Sequence, residues 1–183
     1  MKTAFLVLPG IGNSGPKHWQ TLWEQSRSGF QRIDQRDWDH PVRTEWVDAL
    51  EKAVVAAGPE IILVAHSLAC LVVAHWAATT RQKIKAALLV AVPDPTSPSF
   101  PKEAIGFAPV PLQKFPFPSA MVVSEDDPYG SMEYAERCSL AWGSRLVDIG
   151  AAGHINGSSN LGSWPDGFSL LQTLVTPPGP AIT

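Results

Sequence analysis

The sequence contains very little cysteine. Its two cysteines among 183 residues, Cys70 and Cys138, are too few for a disulfide framework and do not form a zinc-binding pattern. Cys70 lies in an apolar stretch, where a small buried thiol is the ordinary interpretation. We therefore expect neither a metal ion nor a cofactor.

Runs of basic residues are absent as well. The chain has 14 Lys and Arg against 17 Asp and Glu, for a net charge of −3. Because nucleic acids and anionic membranes attract clustered basic residues, we expect no nucleic-acid partner and no membrane partner. The N-terminal apolar run is too short for the core of a signal peptide and stops at Pro9 and Gly10, which favours a cytoplasmic location.

Apolar residues, by contrast, are plentiful. They make up 45% of the chain, which is enough for a substantial core at this length. We predict a single domain over residues 1–175, followed by a proline-rich tail over residues 176–183.

Short apolar runs alternate with stretches of helical periodicity. The runs lack alternating polar residues, as is typical of strands buried on both faces of a parallel sheet. The predicted strands are 4–8, 31–35, 61–65, 86–92, 120–124 and 145–149. The predicted helices lie around 19–23, 46–54, 68–80, 131–142 and 164–174, the last with Ser163 and Asp166 at capping-box spacing. This alternation predicts an α/β fold with right-handed crossovers.

Residues 93–118 interrupt the alternation. Eight prolines in this segment leave little room for a regular helix, so we predict an irregular crossover. Its four phenylalanines could pack over the sheet or line a pocket, and packing is the expected role for most of them: Phe100, Phe107, Phe115 and Phe117.

A glycine-rich loop follows the first predicted strand. Its three glycines, Gly10, Gly12 and Gly15, have the spacing of a dinucleotide fingerprint, and acidic residues follow near the position of a ribose-binding carboxylate. Pro16 directly after the third glycine argues against that interpretation. The loop therefore has to be judged with the rest of the site.

Ser67 stands between a buried strand and an apolar helix, in the stretch "IILVAHSLACLVVAHWAA". In a G-x-S-x-G nucleophile elbow, the residues two before and two after the serine are small because strand and helix converge there. Here both are alanine, Ala65 and Ala69, so the strict motif fails while its steric requirement is largely met. Alone, Ser67 could equally be a helix N-cap.

An acid and a base follow Ser67 in the order found in α/β-hydrolases. Carboxylates come at the end of one predicted strand, in "EDDPYG", and His154 lies in a glycine-rich loop after the next. Parallel strands end at one edge, so these residues can meet there. We favour Asp127 as the acid, because Pro128 biases it toward an extended conformation, with Asp126 as the alternative.

The sheet order 2-1-3-4-5-6 would bring the glycine-rich loop opposite Ser67. The backbone N–H groups of Ile11 and Leu68 are then the expected oxyanion donors, and the glycines need no phosphate. The other histidines are weaker candidates for the base: His18 at a helix start, His40 in a turn, and His75 inside a helix. We expect His66, beside the nucleophile, to brace the turn.

Several segments resemble the family of small serine hydrolases that includes retinoblastoma-binding protein 9 and the bacterial YdeN-like proteins. They are "LPGIGNSGPKHWQTLWE", "DWDHPVRTEWVDALE", "LVAHSLA", "SEDDPYGS" and "GHINGSSNLGSWPDG". The resemblance implies a minimal, lidless α/β-hydrolase fold with Ser67 as nucleophile, Asp127 as acid and His154 as base. An L-x-C-x-E motif for binding retinoblastoma protein is absent, so that partner is not indicated.

The predicted function is hydrolysis of a small-molecule ester, or alternatively an amide, through an acyl-enzyme on Ser67. The main alternative is a protein-binding module on a hydrolase scaffold with little or no turnover, since fold alone does not decide function. A nucleotide-binding oxidoreductase is the third interpretation, and it leaves Ser67, Asp127 and His154 unexplained together.

Overall fold

A six-stranded parallel sheet forms the centre of the computed structural model, which describes residues 3–176. Its strands are β1 (Ala4–Leu8), β2 (Phe30–Arg32), β3 (Ile61–His66), β4 (Ala86–Val90), β5 (Ser119–Val123) and β6 (Arg145–Asp148). The strand order is β2-β1-β3-β4-β5-β6, and every neighbouring pair is parallel. The predicted α/β fold and strand order are confirmed. The predicted tail begins at the last described position, and residues 177–183 lie outside the described part.

Helices cover both faces of this sheet. Within residues 3–176 they are α1 (Trp19–Ser26), α2 (Arg43–Ala57), α3 (Leu68–Ala77), α4 (Met132–Trp142) and α5 (Pro165–Val175), with a 3-10 turn at Gly157–Ser159. The sheet separates two apolar clusters. One cluster contains the buried side chains of α2, α3 and α4, and the other contains those of α1 and α5.

The three central strands contribute buried side chains to both clusters. Every residue of β3, β4 and β5 is buried, which agrees with the uninterrupted apolar runs of the sequence. Neighbouring residues of β3 point to opposite faces: Leu63 belongs to the α2–α4 side, and Ile62 and Val64 belong to the α1–α5 side. The side chains of β3 therefore belong to both apolar clusters.

The element ends differ from the sequence prediction in a few places. The edge strand β2 starts one residue earlier and is only three residues long, because it pairs with β1 alone. The predicted capping box of α5 is wrong. The helix begins at Pro165, and the preceding Trp164 is its cap without a side-chain hydrogen bond. Proline suits a first helical position because the N–H it lacks would have no partner there.

The segment between β4 and β5 is irregular, as the prolines predict. It contains no helix from residue 91 to 118. Phe107, Phe115 and Phe117 are buried in the α2–α4 cluster, so packing is their role. The longest described helix, α2, has 15 residues, and no helix among residues 3–176 is long and apolar enough to span a membrane.

The close approach of Gly167 to the Trp164 ring leads to a prediction about the stability of the protein. Alanine normally favours a helix over glycine by about 1 kcal/mol, but a Cβ at position 167 of α5 would overlap the indole ring of the buried Trp164. Gly167→Ala should therefore destabilise the protein by about 1–3 kcal/mol, measured by urea unfolding.

Gly15→Ala is the matched control, because a Cβ there meets nothing within 4 Å. It should leave the unfolding midpoint nearly unchanged. A stabilised Gly167→Ala variant would show that the indole can move aside.

Candidate active site

Three side chains from distant parts of the sequence meet at the carboxyl edge of the sheet. Ser67 follows β3, Asp127 follows β5, and His154 follows β6. The His154 Nε2 atom lies 2.7 Å from Ser67 Oγ, and its Nδ1 atom lies 2.9 Å from both carboxylate oxygens of Asp127. The structure thus brings the predicted nucleophile, base and acid into one hydrogen-bonded chain.

The backbone at Ser67 takes a conformation that side chains rarely adopt. Its φ is +56°, and it links the end of β3 directly to the start of α3. The flanking Ala65 and Ala69 are fully buried, and a Cβ on Gly10 would lie only 2.9 Å from the Ser67 Cβ. The side chain makes no cap bond to α3, although Ser67 occupies the N-cap position. Small neighbours on each side therefore leave the Ser67 hydroxyl directed to His154.

The two neighbouring carboxylates have different partners. The Asp127 side chain is 3% exposed, and besides contacting His154 it accepts a hydrogen bond from the backbone N–H of Tyr129 at 2.9 Å. Asp126 accepts instead from the Ser124 hydroxyl at 2.8 Å and from the Gly153 backbone N–H at 2.7 Å. These bonds lower the pKa of the Asp126 carboxyl. Asp126 therefore anchors the loop that carries His154, while Asp127 contacts its ring.

Other hydrogen bonds hold the same loop. The imidazole Nε2–H of His66 donates to the His154 carbonyl at 2.9 Å, and the Trp19 indole donates to the Ile155 carbonyl at 2.8 Å. The Ser124 hydroxyl accepts from the Ala152 backbone N–H at 2.8 Å. His66 thus contacts the loop backbone and leaves Ser67 to His154.

Two backbone N–H groups beside Ser67 have no protein acceptor in the described part of the chain. They belong to Ile11, after β1, and Leu68, the first residue of α3. Both residues line the cavity above Ser67. Both N–H groups are therefore available as hydrogen-bond donors at the cavity.

This cavity has a volume of about 200 Å³ and includes residues that sequence reasoning did not assign to the site. The Tyr129 ring packs edge-on against His154 at 4.6 Å, and Asn13, Asn156 and His18 also line the cavity. Of the four crossover phenylalanines, Phe100 lines it. The only sequence signal for these cavity-lining residues was that they follow the ends of predicted strands. Contacts between separate loops cannot be inferred from the spacing of residues within one segment.

Burial lowers the pKa of three of the other histidines, namely His18, His66 and His75. Burial, followed by electrostatic interactions with Arg32 and His154, lowers the pKa of His18 to about 4. Burial also lowers the pKa of His66 well below its ordinary value, and nearby His18 contributes. His75 lies in α3, and its Nε2–H donates a hydrogen bond to the Phe107 carbonyl at 3.0 Å. His40 is exposed and pairs with Asp37.

Among residues 3–176, no three His, Cys, Asp or Glu side chains are grouped so that they could hold a metal ion. Both cysteines are buried as free thiols, and burial raises the pKa of each.

The fold defines the class of protein: the parallel sheet, its strand order and its flanking helices are those of an α/β-hydrolase. A family model described as "Serine hydrolase" matches residues 5–173, so the chain belongs to the serine hydrolase family. No curated protein matches the chain in sequence.

Solved structures agree with the family. A YdeN-like hydrolase of Pectobacterium atrosepticum is 29% identical with a TM-score of 0.84, and the match covers 95% of this chain and 91% of that one. The ydeN gene product of B. subtilis is 18% identical with a TM-score of 0.70, over 94% and 98% of the two chains. An esterase of Thermogutta terrifontis is 16% identical with a TM-score of 0.69, over 96% and 92%. The YdeN-like resemblance is confirmed, and the likeness to retinoblastoma-binding protein 9 stays a prediction.

The low pKa of His18 predicts a pH dependence of stability. Its pKa is about 4 in the folded chain and about 6.5 when unfolded, so at intermediate pH the unfolded chain binds a proton that the folded chain does not. Stability from this residue is complete above pH 6.5 and is lost as the pH falls toward 4. From pH 7 to 5, His18 should account for about 2 kcal/mol of the loss in unfolding free energy.

Urea unfolding at both pH values tests this with His18→Asn, which removes the titrating ring. The variant should lose less stability on acidification than the wild type. His40→Asn, at a side chain that is 71% exposed, serves as control and should retain the wild-type difference. Identical pH dependence in His18→Asn and wild type would contradict the assignment.

Proposed function

We propose that this serine hydrolase cleaves small esters through an acyl-enzyme formed on Ser67. The observation that carries the proposal is the hydrogen-bonded chain Ser67–His154–Asp127, with 2.7 Å between hydroxyl and imidazole and 2.9 Å between imidazole and carboxylate. Nucleophile, base and orienting acid at such distances are the arrangement that activates a serine.

In the first half of the proposed reaction, His154 Nε2 takes the proton of Ser67 as Oγ attacks the ester carbonyl carbon. The Ile11 and Leu68 N–H groups bind the oxygen that becomes negatively charged, and Asp127 stabilises the imidazolium through Nδ1–H. When the bond to the alcohol breaks, His154 returns the proton to the alcohol oxygen. The acyl group is then attached to Ser67.

In the second half, a water molecule replaces the alcohol. His154 takes a proton from the water, whose oxygen attacks the acyl carbon, and the bond to Ser67 breaks with return of a proton to Oγ. The products are a carboxylic acid and the free enzyme. The same N–H groups serve both halves, because the negative charge develops on the same oxygen.

The size of the cavity supports small substrates. About 200 Å³ beside Ser67 is bounded by Phe100, Pro101 and Tyr129. Esters are the proposed class and amides the alternative, because an alcohol leaves more readily than an amine. A small-molecule partner and a cytoplasmic location remain parts of the proposal.

An active-site-directed fluorophosphonate should modify Ser67 alone, because an activated hydroxyl beside N–H donors attacks phosphorus readily. Peptide mapping by mass spectrometry locates the label, and turnover of p-nitrophenyl acetate is measured on the same samples. Ser67→Ala should abolish both.

Ser14→Ala is a useful comparison, since Ser14 is a buried serine bonded to Gln20 and outside the catalytic chain. It should be labelled like the wild type. A label on another serine, or equal turnover in Ser67→Ala, would contradict the proposed nucleophile. A folded wild type without label or turnover would favour the binding-module alternative.

The neighbouring carboxylates supply a second prediction. Asp127→Asn should keep the fold but lower kcat by up to about 10⁴-fold, the loss seen for the analogous change in a protease, because His154 loses the acceptor that fixes its tautomer. Asp126→Asn should reduce kcat far less, because Asp126 bonds only the loop backbone and Ser124.

Measuring kcat and melting temperature for both variants separates the roles. We expect the melting temperature to fall more in Asp126→Asn than in Asp127→Asn. If Asp126→Asn instead abolished turnover while Asp127→Asn were silent, Asp126 would be the acid.

A further inference from the structure

The cavity beside Ser67 has two chemically different sides. In the strand order, β1 and β4 lie on opposite sides of β3, so the segments that follow them flank Ser67 from opposite directions. The segment after β4 contributes Pro93, Phe100 and Pro101, which are apolar. The segment after β1 contributes Gly10 and Ile11 next to Ser67 and, beyond them, the polar side chains of Asn13 and His18.

His18 has a buried donor without a partner. The residue is 6% exposed and is the N-cap of α1, where its Nδ1 atom accepts the backbone N–H of Gln20 at 3.2 Å. A neutral imidazole whose Nδ1 accepts must carry its proton on Nε2. This Nε2 atom is buried and has no hydrogen-bond partner among the described residues.

Such a donor is unusual, because buried polar groups are nearly always paired and an unpaired one destabilises the fold. It is explained if a small rotation of the His18 ring, which lines the cavity, brings Nε2 within reach of an acceptor on a bound substrate. The low pKa of His18, about 4, keeps the ring neutral at pH 7, so the proton stays on Nε2.

The neighbouring asparagines present donors to the same side. The side-chain oxygen of Asn13 accepts from the Ser14 backbone and from Arg32, and that of Asn156 accepts from the Ser158 backbone. Both side-chain oxygens already accept hydrogen bonds from the protein, and the amide NH₂ groups remain as donors. A group that fits this side of the cavity has to be rich in acceptor oxygen.

We propose that His18 is a specificity-determining residue whose Nε2–H donates to an ether or carbonyl oxygen of the substrate other than the reacting carbonyl. The inference rests on the proposed function and deepens it. The preferred substrate is a small ester with one apolar half, held by Phe100 and Pro101, and one half bearing an acceptor oxygen, held by His18.

Two variants separate the donor from the cap. His18→Asn keeps an oxygen near the position of Nδ1, so it can still cap α1, but it has no donor at the position of Nε2. His18→Gln reaches that position with its amide NH₂ and loses the cap. If His18 acted only by capping α1, the change in kcat/KM would track the change in stability. A loss of substrate preference in the variant without the donor, together with a loss of stability in the variant without the cap, shows that the donor has a role of its own.

The substrates are matched pairs in which one CH₂ is replaced by oxygen. For the acyl half, p-nitrophenyl methoxyacetate is compared with p-nitrophenyl butyrate; for the alcohol half, 2-methoxyethyl butyrate is compared with butyl butyrate. The ratio of kcat/KM within each pair is compared between wild type and variant, so that the intrinsic reactivity of the esters cancels.

In at least one pair, His18→Asn should lower this ratio about tenfold, because the ester with the acceptor oxygen loses more than its CH₂ counterpart. His18→Gln should retain most of the wild-type ratio while its melting temperature falls more than that of His18→Asn.

Unchanged ratios in both pairs, or an equal loss for both members of each pair, would overturn the inference while leaving the proposed hydrolysis intact. Turnover that persists in Ser67→Ala, or a wild type that hydrolyses none of the four esters, would overturn the proposed function and this inference with it.

Discussion

The positive φ of Ser67 is the constraint on which the site depends. A serine in this conformation is strained, and it persists only where the surroundings hold it. Here its backbone N–H donates to the Val90 carbonyl at 2.9 Å, and Ala65, Ala69 and Gly10 leave the space that the turn requires. Without that turn, the hydroxyl would lie in the ordinary N-cap position of α3 and would not reach His154.

The second requirement is a fixed position for His154, which lies in a loop beyond the edge strand β6. Hydrogen bonds to the loop backbone come from both sides: Asp126 and Ser124 after β5, and His66 and Trp19 beneath the cavity. Supporting contacts of this kind restrict a reactive ring to a narrow range of positions. The two adjacent carboxylates therefore have different contacts: Asp126 holds the loop backbone, and Asp127 holds the His154 ring.

The sequence predicted the central sheet well because β3, β4 and β5 are uninterrupted apolar runs whose burial leaves little choice of structure. It also predicted which three side chains meet, because the ends of parallel strands share one edge. The start of α5 was mispredicted, because Pro165 and the packing of Trp164 outweigh the capping pattern. The roles of His18 and Tyr129 depend on contacts between loops, which no local pattern specifies.

Three imidazole rings lie in succession beside Ser67. The His66 ring is 4.7 Å from that of His18 and 5.0 Å from that of His154, measured between centroids. In the proposed mechanism His154 becomes positively charged, and a second charged ring at this distance would oppose that step. Burial prevents this by holding the other two rings neutral. The same burial that leaves His18 with an unpaired donor therefore keeps a second positive charge away from His154.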